Sequence, residues 1–293
     1  MVIQKKPFGQ ISVGDYSKII YEYTIKKKNA TVRIISYGAT ITSVLVPDKN
    51  GEVKDVVLGF SNQEGYFGEN NPYFGSTVGR VANRIENAKI KVKDKTYNIS
   101  ANMPPNTLHG GFHGLDKKLW EATTDNDALI MTCISEHLEE GFPGYVEFRV
   151  IYELTDDSEL RITFKAKTTL PTPINLTNHA YFNLAGHDTG SKGVYEHDIF
   201  IDADSYTPLN DKMIPIGELA NVVGTPLDFT KKQNLGNAIA KSPGKGFDYN
   251  YCINGTGFRL AARASHKKTG RVLEVFTDQP GVQFYTGNFL DNI

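Results

Sequence analysis

Apolar and polar positions alternate along much of this chain with a period of two. Across residues 159–167, Leu160, Ile162, Phe164 and Ala166 fall on one side, and Arg161, Thr163 and Lys165 on the other. Across residues 145–154, Val146, Phe148, Val150, Tyr152 and Leu154 share one parity. Successive side chains of a strand point to opposite faces, so each run predicts a half-buried strand. Shorter runs of the same kind span residues 31–36, 41–46, 95–99, 128–134, 198–201 and 272–277. Turn chemistry falls between them. Asp48-Lys49-Asn50-Gly51 predicts an Asn-Gly hairpin turn. Lys93-Asp94-Lys95 and Asp156-Asp157-Ser158 predict polar connectors. Helical periodicity is scarce, and residues 231–240 predict at most one short helix. The 27 glycines and 13 prolines punctuate the whole chain instead of marking one linker. The pattern predicts a single all-β domain over residues 1–293, a large antiparallel β-sandwich or barrel.

Composition narrows the partners. Of the 293 residues, 40% are hydrophobic and 22% charged, which suits a packed core and argues against disorder. Lys and Arg total 32 and Asp and Glu 33, so no global basic field would draw nucleic acid or an anionic membrane. Cys133 and Cys252 are the only cysteines and form no CxxC pattern, which excludes a disulfide scaffold and a zinc ribbon. Residues 1–10 carry no apolar signal core, and no stretch approaches the roughly 18–20 apolar residues of a membrane helix. A cytoplasmic protein with no nucleic-acid or membrane partner is expected.

The strong catalytic motifs are missing: there is no GxSxG elbow, P-loop, HExxH or GxGxxG. His109 and His113 stand four apart, but Gly110, Gly111 and Gly114 argue against a helix there, so no metal site is expected. What remains is five dense polar and aromatic segments. They are Gly79-Arg80-Val81-Ala82-Asn83-Arg84-Ile85, Asn106-Thr107-Leu108-His109-Gly110-Gly111, residues 173–184 (PINLTNHAYFNL), Gly246-Phe247-Asp248-Tyr249-Asn250, and residues 279–288 (QPGVQFYTGN). In the third, Asn175, Thr177, His179 and Asn183 share one strand parity. Amides, hydroxyls and imidazoles are expensive to bury unpaired, so such a face predicts a wet cleft. Mixed donors, acceptors and aromatic surfaces suit a ligand rich in hydroxyls, such as a carbohydrate.

These five segments, in this order, resemble the galactose mutarotase (aldose 1-epimerase) family. The resemblance extends to Ser36-Tyr37-Gly38-Ala39, Val57-Leu58-Gly59-Phe60 and Glu140-Gly141-Phe142-Pro143-Gly144. It implies the galactose mutarotase-like supersandwich and interconversion of the α and β anomers of galactose and glucose, with no metal or organic cofactor. By the same resemblance His179 is the acid that protonates the ring oxygen, and His109 is a second catalytic histidine. Asn83, Arg84, Asp248 and Gln283 match contacts to sugar hydroxyls, and Tyr181 lines the same site. A monomer or weak dimer is expected.

The chain departs from the family pattern in one place. The resemblance implies a general-base glutamate in a C-terminal segment reading roughly F-C-L-E-T-Q, and no such sequence occurs among the 293 residues. The expectation is a family domain truncated at its C-terminus, with an unpaired sheet edge. Loss of one acid–base partner costs about 10²–10⁴ in rate. The alternative is therefore a sugar-binding form with weak or no catalysis. Glu136, Glu139 and Glu140 sit in a loop-like stretch and are given no catalytic role. An epimerase for phosphorylated hexoses is disfavoured, because the matched segments offer chiefly Arg80 and Arg84 for a phosphate. His113, His137, His187, His197 and His266 read as surface or loop histidines, Trp120 as core, and Lys26-Lys27-Lys28 as a solvated turn.

Overall fold

The computed structural model describes residues 3–68, 71–242, 244 and 246–290. They group into two compact units, one of residues 1–46 and 57–181, the other of residues 47–56 and 182–293. Strands dominate both, and the pairings between strands of two or more described residues are antiparallel. The bridge Val81–Asn175 is parallel.

The first unit opens with a long hairpin, Gln4–Val13 against Tyr16–Lys26. The sheet continues through Thr31–Ile35 and Thr40–Pro47. A second sheet is a four-strand meander of Glu121–Asp125, Ala128–Ser135, Val146–Leu154 and Leu160–Thr168. Here the alternation read from the sequence is realised. Val146, Phe148, Val150, Tyr152 and Leu154 are all buried, while Arg149 and Glu153 on the other parity are exposed. The Tyr152 hydroxyl also donates to the carbonyl of Ala39 at 2.6 Å and lies 3.4 Å from Thr77 Oγ1. Burial pushes that phenol's pKa up, so it stays a donor. Three short ladders complete the frame, Thr77–Val78 with Thr177–Asn178, Arg84–Ile85 with Thr107–Leu108, and Lys89–Val92 with Lys95–Asn98. Trp120 is core as expected, 2% exposed, with Nε1 donating to Leu115 O at 3.0 Å.

The second unit holds two four-stranded sheets. One orders Gln233–Asn234, His197–Ile201, Arg259–His266 and Val272–Thr277; the other orders Ala220–Asn221, Ser205–Tyr206, Asp248–Cys252 and Gly281–Tyr285. Ile199, Phe229, Phe247 and Tyr251 anchor its core. The helix expected within residues 231–240 is Leu235–Lys241, capped by Asn234, whose Oδ1 accepts from the N–H of Asn237 at 3.1 Å. The Asn50-Gly51 turn also forms. Asp48 Oδ1 accepts from the N–H groups of Asn50 and Glu52, and Gly51 takes φ 88°, where a side chain would be strained.

Three readings of the sequence are corrected. His197 and His266 are buried, 4% and 3% exposed, and are not surface residues. His197 Nε2 accepts from the N–H of Leu184 at 2.9 Å, and its Nδ1 faces the carbonyls of Gly193 and Val194 at 3.0 Å. With each nitrogen satisfied the ring can be buried neutral, and burial lowers its pKa. Lys27 is not simply solvated: it pairs with Asp127 at 2.9 Å and Asp156 at 3.4 Å. The third polar segment is not one strand. Only Thr177–Asn178 is strand, and Asn183 is buried in the second unit, donating to Thr189 Oγ1 and Gly190 O. Its shared parity with His179 therefore has no geometric meaning.

Candidate active site

In the first unit lie five of the seven residues singled out from the sequence: His179 and His109, with Asn83, Arg84 and Tyr181 beside them. His179 follows the short strand Thr177–Asn178 and is pinned by backbone on both sides. Its N–H donates to Ser76 O at 2.9 Å, and its carbonyl accepts from the N–H of Gly75 at 3.0 Å. Asn178 reinforces the link, its amide donating to Gly75 O at 2.8 Å. The backbone of His179 is thus fixed before its ring meets anything.

Two tyrosines stack on the ring. Tyr181 stacks on it with centroids 5.1 Å apart, and Tyr73 stacks at 5.8 Å. His109 meets it edge-on at 5.3 Å, and Tyr73 meets His109 at 4.6 Å. Tyr181 is itself tied down, its hydroxyl donating to Pro72 O at 3.1 Å. Tyr73 was not among the residues expected from the sequence. The signal was present in Pro72-Tyr73-Phe74-Gly75, a short aromatic stretch framed by proline and glycine much as the five polar segments are.

His109 is held by the Arg84–Ile85 ladder. Its N–H donates to Asn83 O at 3.1 Å, and its Nδ1 accepts from the N–H of Asn83 at 3.0 Å. A backbone N–H can only donate, so Nδ1 carries no proton and the neutral ring holds its proton on Nε2. Burial, with the charges of His179 and Arg84 adding to it, drives the His109 pKa down to about 3. His179 is also shifted down, chiefly by burial. His109 is therefore a fixed neutral donor, whereas the His179 ring is held by aromatic packing.

Asn83 Oδ1 accepts from the N–H of Arg84 at 2.9 Å and from Arg84 Nη1 at 3.3 Å. The Nε of Arg84 has no hydrogen-bond partner among the described residues. Leaving a guanidinium donor unpaired costs stability, which suits a side chain whose partner is a ligand. Arg80, by contrast, is structural. It is 3% exposed, and its guanidinium donates to Ser135 Oγ and to the carbonyls of Ser135, Glu136, Pro143 and Gly144. Burial lowers its pKa to about 10, so it stays charged. With its donors committed, Arg80 is removed as a phosphate ligand.

A second residue escaped the sequence reading. Asp116 is 7% exposed and its Oδ1 is buried without a hydrogen-bond partner among the described residues. Burial pushes its carboxyl up to about 6, and the charge of Glu140 adds to the shift. Burial raises the Tyr73 phenol to about 12, with Asp116 contributing. Nothing in the spacing of Gly114-Leu115-Asp116-Lys117 signals this.

The remaining two expected residues lie in the second unit and are joined to each other. Asp248 begins the strand Asp248–Cys252, beside Gly281–Tyr285 at the edge of its sheet. Gln283 Nε2 donates to Asp248 Oδ1 at 2.7 Å. The carboxylate is half-buried and the amide exposed.

Among the described residues, no group of three or more His, Cys, Asp or Glu is placed to hold a metal ion, and no helix is long and apolar enough to cross a membrane. A cleft of 680 Å³ over the first sheet, lined by Lys5, Lys6, Glu22, Lys26 and Arg33 among others, includes neither histidine nor any residue around them.

The aldose 1-epimerase family model matches residues 21–292, and the chain belongs to that family. Galactose mutarotase of Bos taurus is 43% identical over 290 residues, covering 99% of this chain and 83% of its own length. Aldose 1-epimerase of Escherichia coli is 34% identical over 279 residues, covering 92% and 80%. Among solved structures, the GalM/aldose epimerase homologue from C. elegans superposes with a TM-score of 0.84 at 31% identity, covering 92% of this chain and 83% of that one. Galactose 1-epimerase from Lactobacillus acidophilus gives 0.82 at 26% identity, covering 98% and 84%.

Proposed function

We propose that this chain is an aldose 1-epimerase that interconverts the α and β anomers of galactose and glucose. The observation that carries the reading is His179, stacked by Tyr73 and Tyr181 with His109 edge-on, in a chain of this family. Mutarotation breaks the bond between C1 and the ring oxygen. A proton must reach that oxygen while the C1 hydroxyl loses one, giving an open-chain aldehyde. Rotation about the C1–C2 bond and the reverse proton transfers close the ring on the other face. Protonated His179 is the donor to the ring oxygen, since an imidazole can gain and lose a proton near neutral pH. His109 keeps its proton on Nε2 and donates a hydrogen bond to a sugar oxygen. Arg84, oriented by Asn83, binds a hydroxyl, and Tyr181 offers its ring to a C–H face. Asp248 and Gln283 are assigned hydroxyl contacts, the role that the resemblance implies for them. The sugar is the only ligand proposed, and no metal or organic cofactor takes part.

No residue is assigned as the base, because the 293 residues contain no F-C-L-E-T-Q. The second reading is a sugar-binding form with weak or no turnover. One experiment separates the two. Equilibrated D-galactose with the protein is examined by exchange NMR between the α and β anomeric protons, with saturation-transfer difference on the same sample. Exchange above a protein-free blank supports the epimerase. Saturation transfer without exchange favours the binding form, and neither signal overturns both.

The sandwich arrangement of the sheets and a single domain over residues 1–293 belong to the same proposal. The burial alternation of Val146–Leu154 supports the first, and the chain path supports the second. Residues 47–56 lie in the second unit although flanked in sequence by the first. A monomer or weak dimer is proposed with them, to be checked by sedimentation equilibrium.

A further inference from the structure

The loop after His109 is held in an unusual backbone. His109, Gly110 and Gly111 have φ of 52°, 91° and 110° in succession. A non-glycine residue at positive φ costs free energy and persists only where its surroundings over-determine it. Three tethers do so here. Asn83 holds His109 itself. Asn102 accepts from the N–H of Leu108 at 2.7 Å and donates to the carbonyls of Leu108 and Gly111 at 2.9 and 3.0 Å. The third tether is charged. Glu140 Oε2 accepts from the N–H of Phe112 at 2.9 Å, and its Oε1 accepts from the N–H of His113 at 3.0 Å.

We propose that Glu140 is a positioning residue for His109, fixing its ring through the two hydrogen bonds that its carboxylate takes from the loop at residues 112 and 113. The inference rests on the reading that His109 serves the sugar. Glu140 is itself anchored, because its segment is the one Arg80 binds through the carbonyls of Ser135, Glu136, Pro143 and Gly144. The fit is close: a Cβ on Gly111 would collide with Glu140 Oε2, so this carboxylate position requires glycine there. Bonds from backbone N–H to a carboxylate are charge-assisted and stronger than neutral ones. Removing the carboxylate therefore loosens the loop at its distal end, just beyond the imidazole. Glu140 touches no substrate and acts only through His109.

The test uses the sugar-free full chain labelled with 15N at histidine. In the wild type, the His109 nitrogens should show an acceptor Nδ1 and a protonated Nε2. In Glu140→Ala these signals should shift or broaden toward mixed tautomers, with Glu140→Gln intermediate because its amide oxygen still accepts one bond. The buried His197 and His266 should keep their wild-type shifts, which reports intact folding. In turnover assays Glu140→Ala should lower kcat at least about tenfold, the scale of one charge-assisted hydrogen bond. That loss should vanish in a His109→Ala background, as expected for groups acting as one unit. If His109 signals are unchanged in Glu140→Ala, or if the loss is equally large without His109, the proposal is overturned. Should Glu140→Ala fail to fold, the conservative Glu140→Gln carries both readouts. A wild-type chain without turnover would sink the proposed function, while the nitrogen shifts alone would still decide the role of Glu140.

Discussion

The two histidines differ in how their rings are held. His109 Nδ1 is occupied by a donor, and its pKa is driven down to about 3. His179 and the buried His197 are also shifted down. In the unfolded chain all three would titrate near 6.5. Between that value and the folded pKa, the unfolded chain binds more protons than the native one, so acid favours unfolding. Stability should be fully present above pH 6.5 and fall as the pH drops toward 3. Urea midpoints measured from pH 7 to pH 4 should show this slope, and His109→Gln should flatten it. The sign differs for catalysis. A donor to the ring oxygen must be protonated, so kcat/KM should fall as pH rises through the lowered His179 pKa. The alkaline limb should therefore be centred below 6.5. A limb above that value would separate His179 from the acid role. At this scale the sequence revealed the histidines through their polar neighbours. Tyr73 was signalled only by the aromatic stretch at residues 72–75, and Asp116, set apart by its burial, by no spacing at all.

Secondary structure was legible where one face of a strand is buried and the other is wet. Val146–Leu154 alternates in burial as its sequence does, and Ala128–Ser135 alternates in burial although its sequence is a nearly continuous apolar run. The hairpin Gln4–Val13 with Tyr16–Lys26 was not legible. The first four residues of its second strand are exposed on both faces, so no alternation is written there. Thr40–Pro47, read as a strand over residues 41–46, is buried on both faces at residues 40–44, polar Thr40, Thr42 and Ser43 included. The segment carrying His179 reads as one long strand but is not one, because it is fixed by backbone pairing to residues 75–78 instead of by its own pattern. That pairing depends on Gly75, at φ 63°, where an added Cβ would collide with Ile41 O. Gly75→Ala should therefore displace the ladder and lower anomerisation by about 10² or more, the range of a lost acid–base partner. Polarimetry beside a melting curve checks this, and a normal rate would show that the pairing does not govern His179. Arg80→Met should act through stability. It leaves several buried carbonyls without donors, with an expected cost of roughly 3–5 kcal/mol by denaturant titration.

The chain crosses between its two units three times, since residues 47–56 lie in the second unit and both flanking segments in the first. Neither unit is one continuous stretch of chain. Unfolding should accordingly be one cooperative transition by calorimetry, and two resolved transitions would contradict the single domain read from the sequence. The family and its chemistry were legible at this scale because five polar and aromatic segments keep their order along the chain. The partition into units was not, because glycine and proline are spread evenly and mark no linker. The most direct measurement is polarimetry of freshly dissolved α-D-galactose with the wild-type chain, His179→Ala and a protein-free blank. The wild type should speed the approach to equilibrium, with the acceleration falling by about 10²–10⁴ in His179→Ala. Folded wild-type protein that leaves the rate at the blank, or a His179→Ala chain as fast as wild type, would contradict the assignment of His179 as the acid of an aldose 1-epimerase.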